Sequence, residues 1–338
     1  MDRSGAASLD IIIPLYNEEE MLELLAAELS RIFTAQALAE RRLSRIRYLM
    51  IDDGSRDGTA SAVSARIAQG FPAVLYRLSR NFGHQNAVCA GLDHADADLV
   101  AVIDADLQDP PELILQMVDR WREGSDVIYA ERRKRKESAL KRLGYWAFYR
   151  IVAHLSDVHM PLDSGDFCLM DRQVVRALAQ LPENLRFVRG LRAWVGFRQT
   201  GIAFDRPARI AGRTKYSLGK LYKLATDGIA SFSIRPLKLA QLLSFSYFML
   251  SMGITIWLLV QLLWGHQSSV SPWTLLTYLL IVSGNGALCL CVYILGAYVG
   301  RTYLEVKQRP PYILREIVRI DDRAPAKPGL SGAPHVID

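Results

Sequence analysis

The first half of the chain alternates short apolar runs with longer amphipathic ones. LDIIIP (9–14), IRYLMID (46–52), AVLYRL (73–78), LVAVID (99–104) and DVIYA (126–130) have the near-continuous apolar character of strands buried on both faces. The spacing between them predicts helices. Asn17 is placed to cap the first, with Glu20 three residues later reaching back. Asp57-Gly58-Thr59 opens a second, and a third starts near Gln85. Asp109 caps a fourth that begins with Pro110, a helical position where proline is tolerated. Repeated strand–helix units predict an α/β fold with a mostly parallel sheet covered on both faces. In such sheets ligands sit beyond the carboxyl ends of the strands. Pro14, Asp52, Asp53, Asp104 and Asp106 all fall at those ends.

The second half has a different pattern. From Leu239 to Gly300 there is no Asp, Glu, Lys or Arg. The tract divides at GHQSSVSP (265–272), and each part is long enough for a spanning helix, which needs about 20 apolar residues. Two transmembrane helices are therefore expected near 240–263 and 274–299. Arg235 and Lys238 precede the first; Arg301, Lys307, Arg309, Arg315 and Arg319 follow the second; the connecting loop has no Lys or Arg. The positive-inside rule then puts the first domain and both termini on the cytoplasmic side of a bacterial cytoplasmic membrane. Trp264, Trp273, Tyr298 and Tyr303 lie where an interfacial aromatic belt is expected. The start, MDRSGAASLDIII, lacks the apolar core of a signal peptide. Residues 139–155 and 216–238 mix basic with aromatic or aliphatic positions, the composition of amphipathic helices lying on a membrane. The expected division is a catalytic domain at 1–212, interfacial helices at 213–238, a transmembrane hairpin at 239–300 and a cytoplasmic tail at 301–338. The Pro-, Gly- and Ala-rich end after Asp321 reads as disordered.

Composition sharpens this picture in two ways. Half of the 338 residues are apolar and 22% are charged, which excludes a disordered chain. The net charge of +6 includes a basic run at 132–136 that reads first as a solvated loop, with phosphate-bearing partners, a nucleotide or a membrane surface, as the functional alternative and no nucleic acid expected. The four cysteines form no CxxC pair, so neither a disulfide framework nor a zinc site is predicted.

The candidate chemistry centres on Asp104-Ala105-Asp106. Two carboxylates one residue apart at a strand end repel each other unless a cation neutralises them. A hard divalent ion held by few carboxylates, water and substrate phosphate would do so. There is no GxGxxG after a strand and no GxxxxGK[ST], so phosphate binding would rest on metal and basic side chains.

IIIPLYNEEE, MIDDGSRDGT and VIDADLQDPPE resemble the leading motifs of family 2 glycosyltransferases, which have the Rossmann-like GT-A fold. DSGDFCLMDR (163–172) and ARIAGRTKYS (208–217), followed by apolar spans, make the chain similar to the polyprenyl-phosphate glycosyltransferases. Among these it resembles dolichol-phosphate mannose synthase and, more closely, bactoprenol glucosyltransferases of the GtrB type. No QxxRW is present; the nearest segment, RGLRAW (189–194), lacks it, against a processive synthase.

The resemblance implies roles for particular residues. Pro14, Tyr16 and Glu18 would line the nucleotide pocket, and Asp53 would take the edge of the base. Asp104 would contact nucleotide and metal, and Asp106 and Gln108 would ligate the metal, Mg2+ or Mn2+. Asp166 would be the catalytic carboxylate near the acceptor phosphate. Arg209 and Lys215 would close over the phosphates, with Arg132 as a further phosphate-binding arginine. His84 reads as a helix-start or packing residue. The implied reaction is inverting transfer of a sugar from a nucleotide diphosphate sugar, first of all UDP-glucose, to undecaprenyl phosphate, for modification of a cell-envelope glycan. UDP-N-acetylglucosamine, UDP-galactose and an aminoarabinose donor are the alternatives within the class. A non-catalytic membrane partner that binds nucleotide sugar or lipid phosphate is the alternative outside it. The resemblance also implies a homo-oligomer, a tetramer.

Overall fold

A computed structural model describes residues 3–132, 164–181, 183, 186–204, 235–263 and 272–319. The interfacial helix expected at 139–155, most of that at 216–238, Arg209, Lys215 and the end after Asp321 lie outside the described residues. So does the side chain of Arg132.

The described elements are β1 (Ala7–Leu15), α1 (Glu19–Ile32), α2 (Ala35–Glu40), β2 (Leu43–Asp52), α3 (Thr59–Ala68), β3 (Ala73–Leu78), α4 (His84–His94), β4 (Leu99–Val102), α5 (Glu112–Arg122) and β5 (Val127–Arg132). They continue with β6 (Ser164–Asp171), α6 (Arg172–Ala179), α7 (Val188–Trp194), β7 (Gln199–Phe204), α8 (Arg235–Leu263), α9 (Pro272–Val306) and β8 (Leu314–Val318). The strands form one eight-stranded sheet in the order β7-β5-β6-β4-β1-β2-β3-β8. β1 pairs in parallel with β2 and β4, β2 with β3, and β5 with β7. β6 runs antiparallel between β4 and β5, and β8 antiparallel along β3. This is the mostly parallel α/β sheet that the apolar runs predict.

Side chains alternate across a strand, so a strand covered on both faces must be apolar at every position. β1 shows this directly. Ile11 and Ile13 face the core beneath α1, α3 and α5, while Ile12 faces the core beneath α4, α6 and α7. All three are fully buried, each stabilising the fold by about 1.5–3 kcal/mol relative to an exposed side chain. Asp10 is the one fully buried polar residue in this strand. Arg47 holds both its oxygens at 3.0 and 2.6 Å while the Asp96 N–H donates to one of them. A buried charge needs such partners.

Several expected boundaries move. Asn17 is not a helix cap: it has φ +54°, and Glu18 precedes α1. Its side chain is used elsewhere, accepting from the Arg56 N–H at 2.9 Å. Asp109 and Pro110 do not open α5 either. The helix starts at Glu112, after a turn in which the Leu113 N–H donates to Pro110. β4 ends at Val102, with Ile103 still bonded to β1 before the chain turns at Asp104.

α8 and α9 are 29 and 35 residues long and pack on each other. Cys291 Sγ lies 3.2 Å from Ser244 Oγ, and the Tyr247 hydroxyl donates to the Leu280 carbonyl. A Cβ on Gly284 would overlap the Tyr247 ring, so glycine permits this approach. Among the described residues one helical stretch, Ser283–Val306, has the length and mean hydropathy (1.5) to cross a membrane, and none of it is buried. In α8 the described apolar stretch is shorter, Ala240–Leu250. One of the two expected spans is thus supported by its helix.

After α9 the chain returns to the sheet. Leu314 pairs with Leu78 and Val318 with Leu75, so β8 enters at the carboxyl end of β3. Part of the segment expected as a tail is an edge strand of the eight-stranded sheet.

Candidate active site

The loops after β1 and β2 are bonded to each other before any ligand is considered. The Asn17 N–H donates to Ser55 Oγ at 3.0 Å and the Glu18 N–H to Thr59 Oγ1 at 3.0 Å. Glu19 returns the contact by accepting from the Gly58 N–H at 2.8 Å. Pro14 is the second-last residue of β1, in register with Ile51, and Tyr16 just beyond the strand is 37% exposed. The residues expected to form a nucleotide pocket therefore share one rigid corner.

Asp53 joins a third loop to that corner. Its two oxygens accept the Phe82 and Gly83 N–H groups at 2.7 and 2.9 Å, just before α4. Burial raises its pKa, while the two backbone donors hold the rise in check. Gly54 makes the approach possible. It has φ +67°, and a Cβ there would come within 2.7 Å of the Asn81 nitrogen. The structure thus shows Asp53 as the anchor of the Phe82-Gly83 turn.

Asp104, Asp106 and Gln108 follow β4. Asp106 Oδ1 accepts the Gln108 N–H at 3.1 Å across Leu107, which has φ +52°. Gln108 is 5% exposed. Among the described residues no three His, Cys, Asp or Glu gather into an all-protein metal cage. Two carboxylates and an amide match the small donor set that a divalent ion shares with water and substrate phosphate.

Asp166 reaches this edge through the direction of β6. Cys168 pairs with Val102 on antiparallel strands, so the register carries Asp166 opposite Asp104. Between them stands His84, at the start of α4. Its Nε2 lies 3.7 Å from Asp104 Oδ1 and 3.3 Å from Asp166 Oδ2. Burial lowers the pKa of this imidazole, but the hydrogen bond to Asp166 and the charges of Asp104 and Asp166 outweigh it and raise the value to about 8.

Asp166 is itself 11% exposed. Arg189 of α7 grips both its oxygens, Nε to Oδ1 at 3.2 Å and Nη2 to Oδ2 at 3.1 Å. Gln85 Nε2 adds a bond to Oδ2 at 3.0 Å. Burial would raise the pKa of this acid, but Arg189 and His84 hold it well below the usual carboxylate range. The sequence pattern marks His84 only as a helix-start or packing residue and assigns Gln85 and Arg189 no function. The signal for His84 and Gln85 was their place after β3, at the same carboxyl edge as the acids.

A hollow of about 820 Å³ lies at the opposite end of the sheet, lined by Arg3, Arg42, Arg122 and Arg198 among others. Arg3, Arg42 and Arg122 there donate to backbone carbonyls of neighbouring segments, which ties down the start of the chain.

The fold and this edge of the sheet define a class: an α/β enzyme domain that gathers acids beyond its parallel strands. The chain belongs to glycosyl transferase family 2, whose sequence profile matches residues 10–179, from β1 into α6. It is a glycosyltransferase with a GT-A-like fold. It is 40% identical to an uncharacterized glycosyltransferase, sll0501, of Synechocystis over 91% of this chain and 95% of that one. It is 38% identical to the uncharacterized glycosyltransferase YkcC of Bacillus subtilis over 93% and 95%. It is 33% identical to the SfII prophage-derived bactoprenol glucosyl transferase of Shigella flexneri over 91% and 97%.

Proposed function

We propose that the protein transfers a sugar, glucose from UDP-glucose in the first instance, to undecaprenyl phosphate at the cytoplasmic face of a bacterial membrane. The observation that carries this reading is the meeting of Asp104 and Asp166 across His84, at the edge of the sheet to which the chain returns from α9. The name of the Shigella relative supports the lipid acceptor. α8 and α9 would be the two spans, α8 with an apolar core and both with charge-free interiors. A lipid acceptor leaves a bilayer only at about 0.8 kcal/mol per CH₂, so the site must come to the headgroup.

In this reading Pro14, Tyr16, Glu18 and Asp53 receive the nucleotide, with Asp53 holding the Phe82-Gly83 turn against the base. Asp104, Asp106 and Gln108 hold Mg2+ or Mn2+. When bound, the ion would supply positive charge as the diphosphate departs. Arg132, Arg209 and Lys215 add charge at the same place. Asp166 stands on the acceptor side. An oxygen of the lipid phosphate forms the new bond to the anomeric carbon, and the bond to the diphosphate breaks on the opposite face, with inversion. The products are a polyprenyl-phosphate sugar and UDP.

The test is transfer by the full chain in detergent, with undecaprenyl phosphate, a divalent metal and UDP-glucose, UDP-N-acetylglucosamine or UDP-galactose in turn. One glycolipid should appear by mass, and Asp106→Ala should lower its rate by about 100-fold or more. A folded protein that makes no glycolipid from any of these donors would overturn the UDP-sugar reading.

A further inference from the structure

The donors around Asp166 come from two helices on the same face of the sheet. α4 supplies His84 and Gln85, and α7 supplies Arg189. Gln85 ties the two together: its Nε2 reaches Asp166 at 3.0 Å while its Oε1 accepts the Val188 N–H at 3.2 Å. Arg189 meets the carboxylate with Nε and Nη2, each near 3 Å from a different oxygen. A planar fork across both oxygens fixes the plane of the carboxyl group as well as its position. A general base needs an oxygen turned to the proton it takes. Here both oxygens are turned to nitrogen donors of the protein, the geometry of a fixed counter-charge.

We propose that Arg189 and Gln85 are positioning residues of the transfer reaction, which lock Asp166 against His84 and so set the spacing between the donor and acceptor halves of the site. This rests on the reading of function above. Asp166 then takes no proton in the reaction. The chemistry allows this, because a phosphate monoester has a second pKa near 6 and is mostly dianionic at neutral pH. Its oxygen attacks as it arrives, and the electron pair of the broken bond leaves on the diphosphate. What the site must supply is alignment, and an error of about 1 Å can cost about 100-fold in rate.

Steady-state transfer by the full chain tests the proposal, using the donor that the wild type prefers. Arg189→Gln should lower kcat about 100-fold while the donor KM stays within about threefold. Arg189→Lys should recover about tenfold, since it restores the charge but not the fork. In an Asp166→Asn background, Arg189→Gln should cost less than about threefold more, because residues acting through one another are not additive. Gln85→Ala removes no charge, and should lower kcat about tenfold with an unchanged thermal midpoint. The proposal is overturned if Arg189→Gln costs as much with Asp166→Asn as without it, or if Arg189→Gln and Gln85→Ala both keep wild-type kcat. A wild type that glycosylates no polyprenyl phosphate overturns the functional reading instead. The same cycle is then run on UDP release from the donor, where the same non-additive pattern supports the proposal and additive losses overturn it.

Discussion

A buried acid with an arginine across both oxygens leaves a signature in pH. The folded pKa of Asp166 lies below its unfolded value of about 3.9, so its contribution to stability is full above about pH 4. The contribution disappears as pH falls through the folded value. Asp166→Asn should therefore be less stable than wild type at pH 7, by about 2 kcal/mol. That is below the ~3–5 kcal/mol typical of breaking fully buried pairs, because Arg189 is 32% exposed. The gap should narrow as pH is lowered from 5 toward 2. Thermal unfolding at a series of pH values reads it, and a gap that stays constant would remove the ion pair as its source. Cys89 offers a second check. Burial pushes its thiol up to about 12 and raises Cys168 as well. Since the thiolate is the nucleophile, neither should be alkylated by iodoacetamide at pH 8 until the protein unfolds, as peptide mapping would show. At this scale the acids were legible in the sequence, because Asp104, Asp106 and Asp166 sit in recognisable motifs. His84, Gln85 and Arg189 were not. Their significance arises only when β6 turns Asp166 back against β4, a contact between residues far apart in the chain.

At the scale of elements, α4 carries the largest consequence, since it presents His84 and Gln85. It lies close on β1 because Gly91 faces Ile12: a Cβ at Gly91 would come within 3.0 Å of Ile12 Cγ1, and closer still to another of its atoms. Gly91→Ala gains up to about 1 kcal/mol of helix propensity. Overpacking a filled core costs about 1–3 kcal/mol, and here it should win. A net loss of about 1 kcal/mol in urea unfolding is expected, together with a fall in kcat as α4 lifts. A variant that is more stable and fully active would show that the helix can shift freely. β1 to β5 were readable because burial on both faces leaves continuous apolar runs. β7 and β8 were not. β7, QTGIAF, opens on polar residues, and β8, LREIV, carries Arg315 and Glu316 on an edge strand where one side meets solvent. Asn17 misled because its type suits a cap, whereas its left-handed φ serves the link to Arg56.

For the whole molecule, the charge gap at 239–300 marked the helical hairpin, but composition could not show that the chain comes back. β8 completes the sheet beside β3, and Tyr312 fastens the approach by bonding Asp93 of α4 at 3.1 Å. Ending the chain after Gln308 should expose the β3 edge, lower the thermal midpoint by at least about 4 °C and promote association between exposed edges. Scanning calorimetry and light scattering would measure both. An unchanged midpoint would make β8 an ornament of the fold.

The return of β8 also decides how the catalytic head can move. A body held by one flexible line can spin and swing in every direction. Here α9 ends at Val306 and β8 starts at Leu314, so the strand that closes the sheet is joined to the hairpin by a short run of chain. A line that short has little slack, and a shift of α9 along its own axis is felt at the β3 edge.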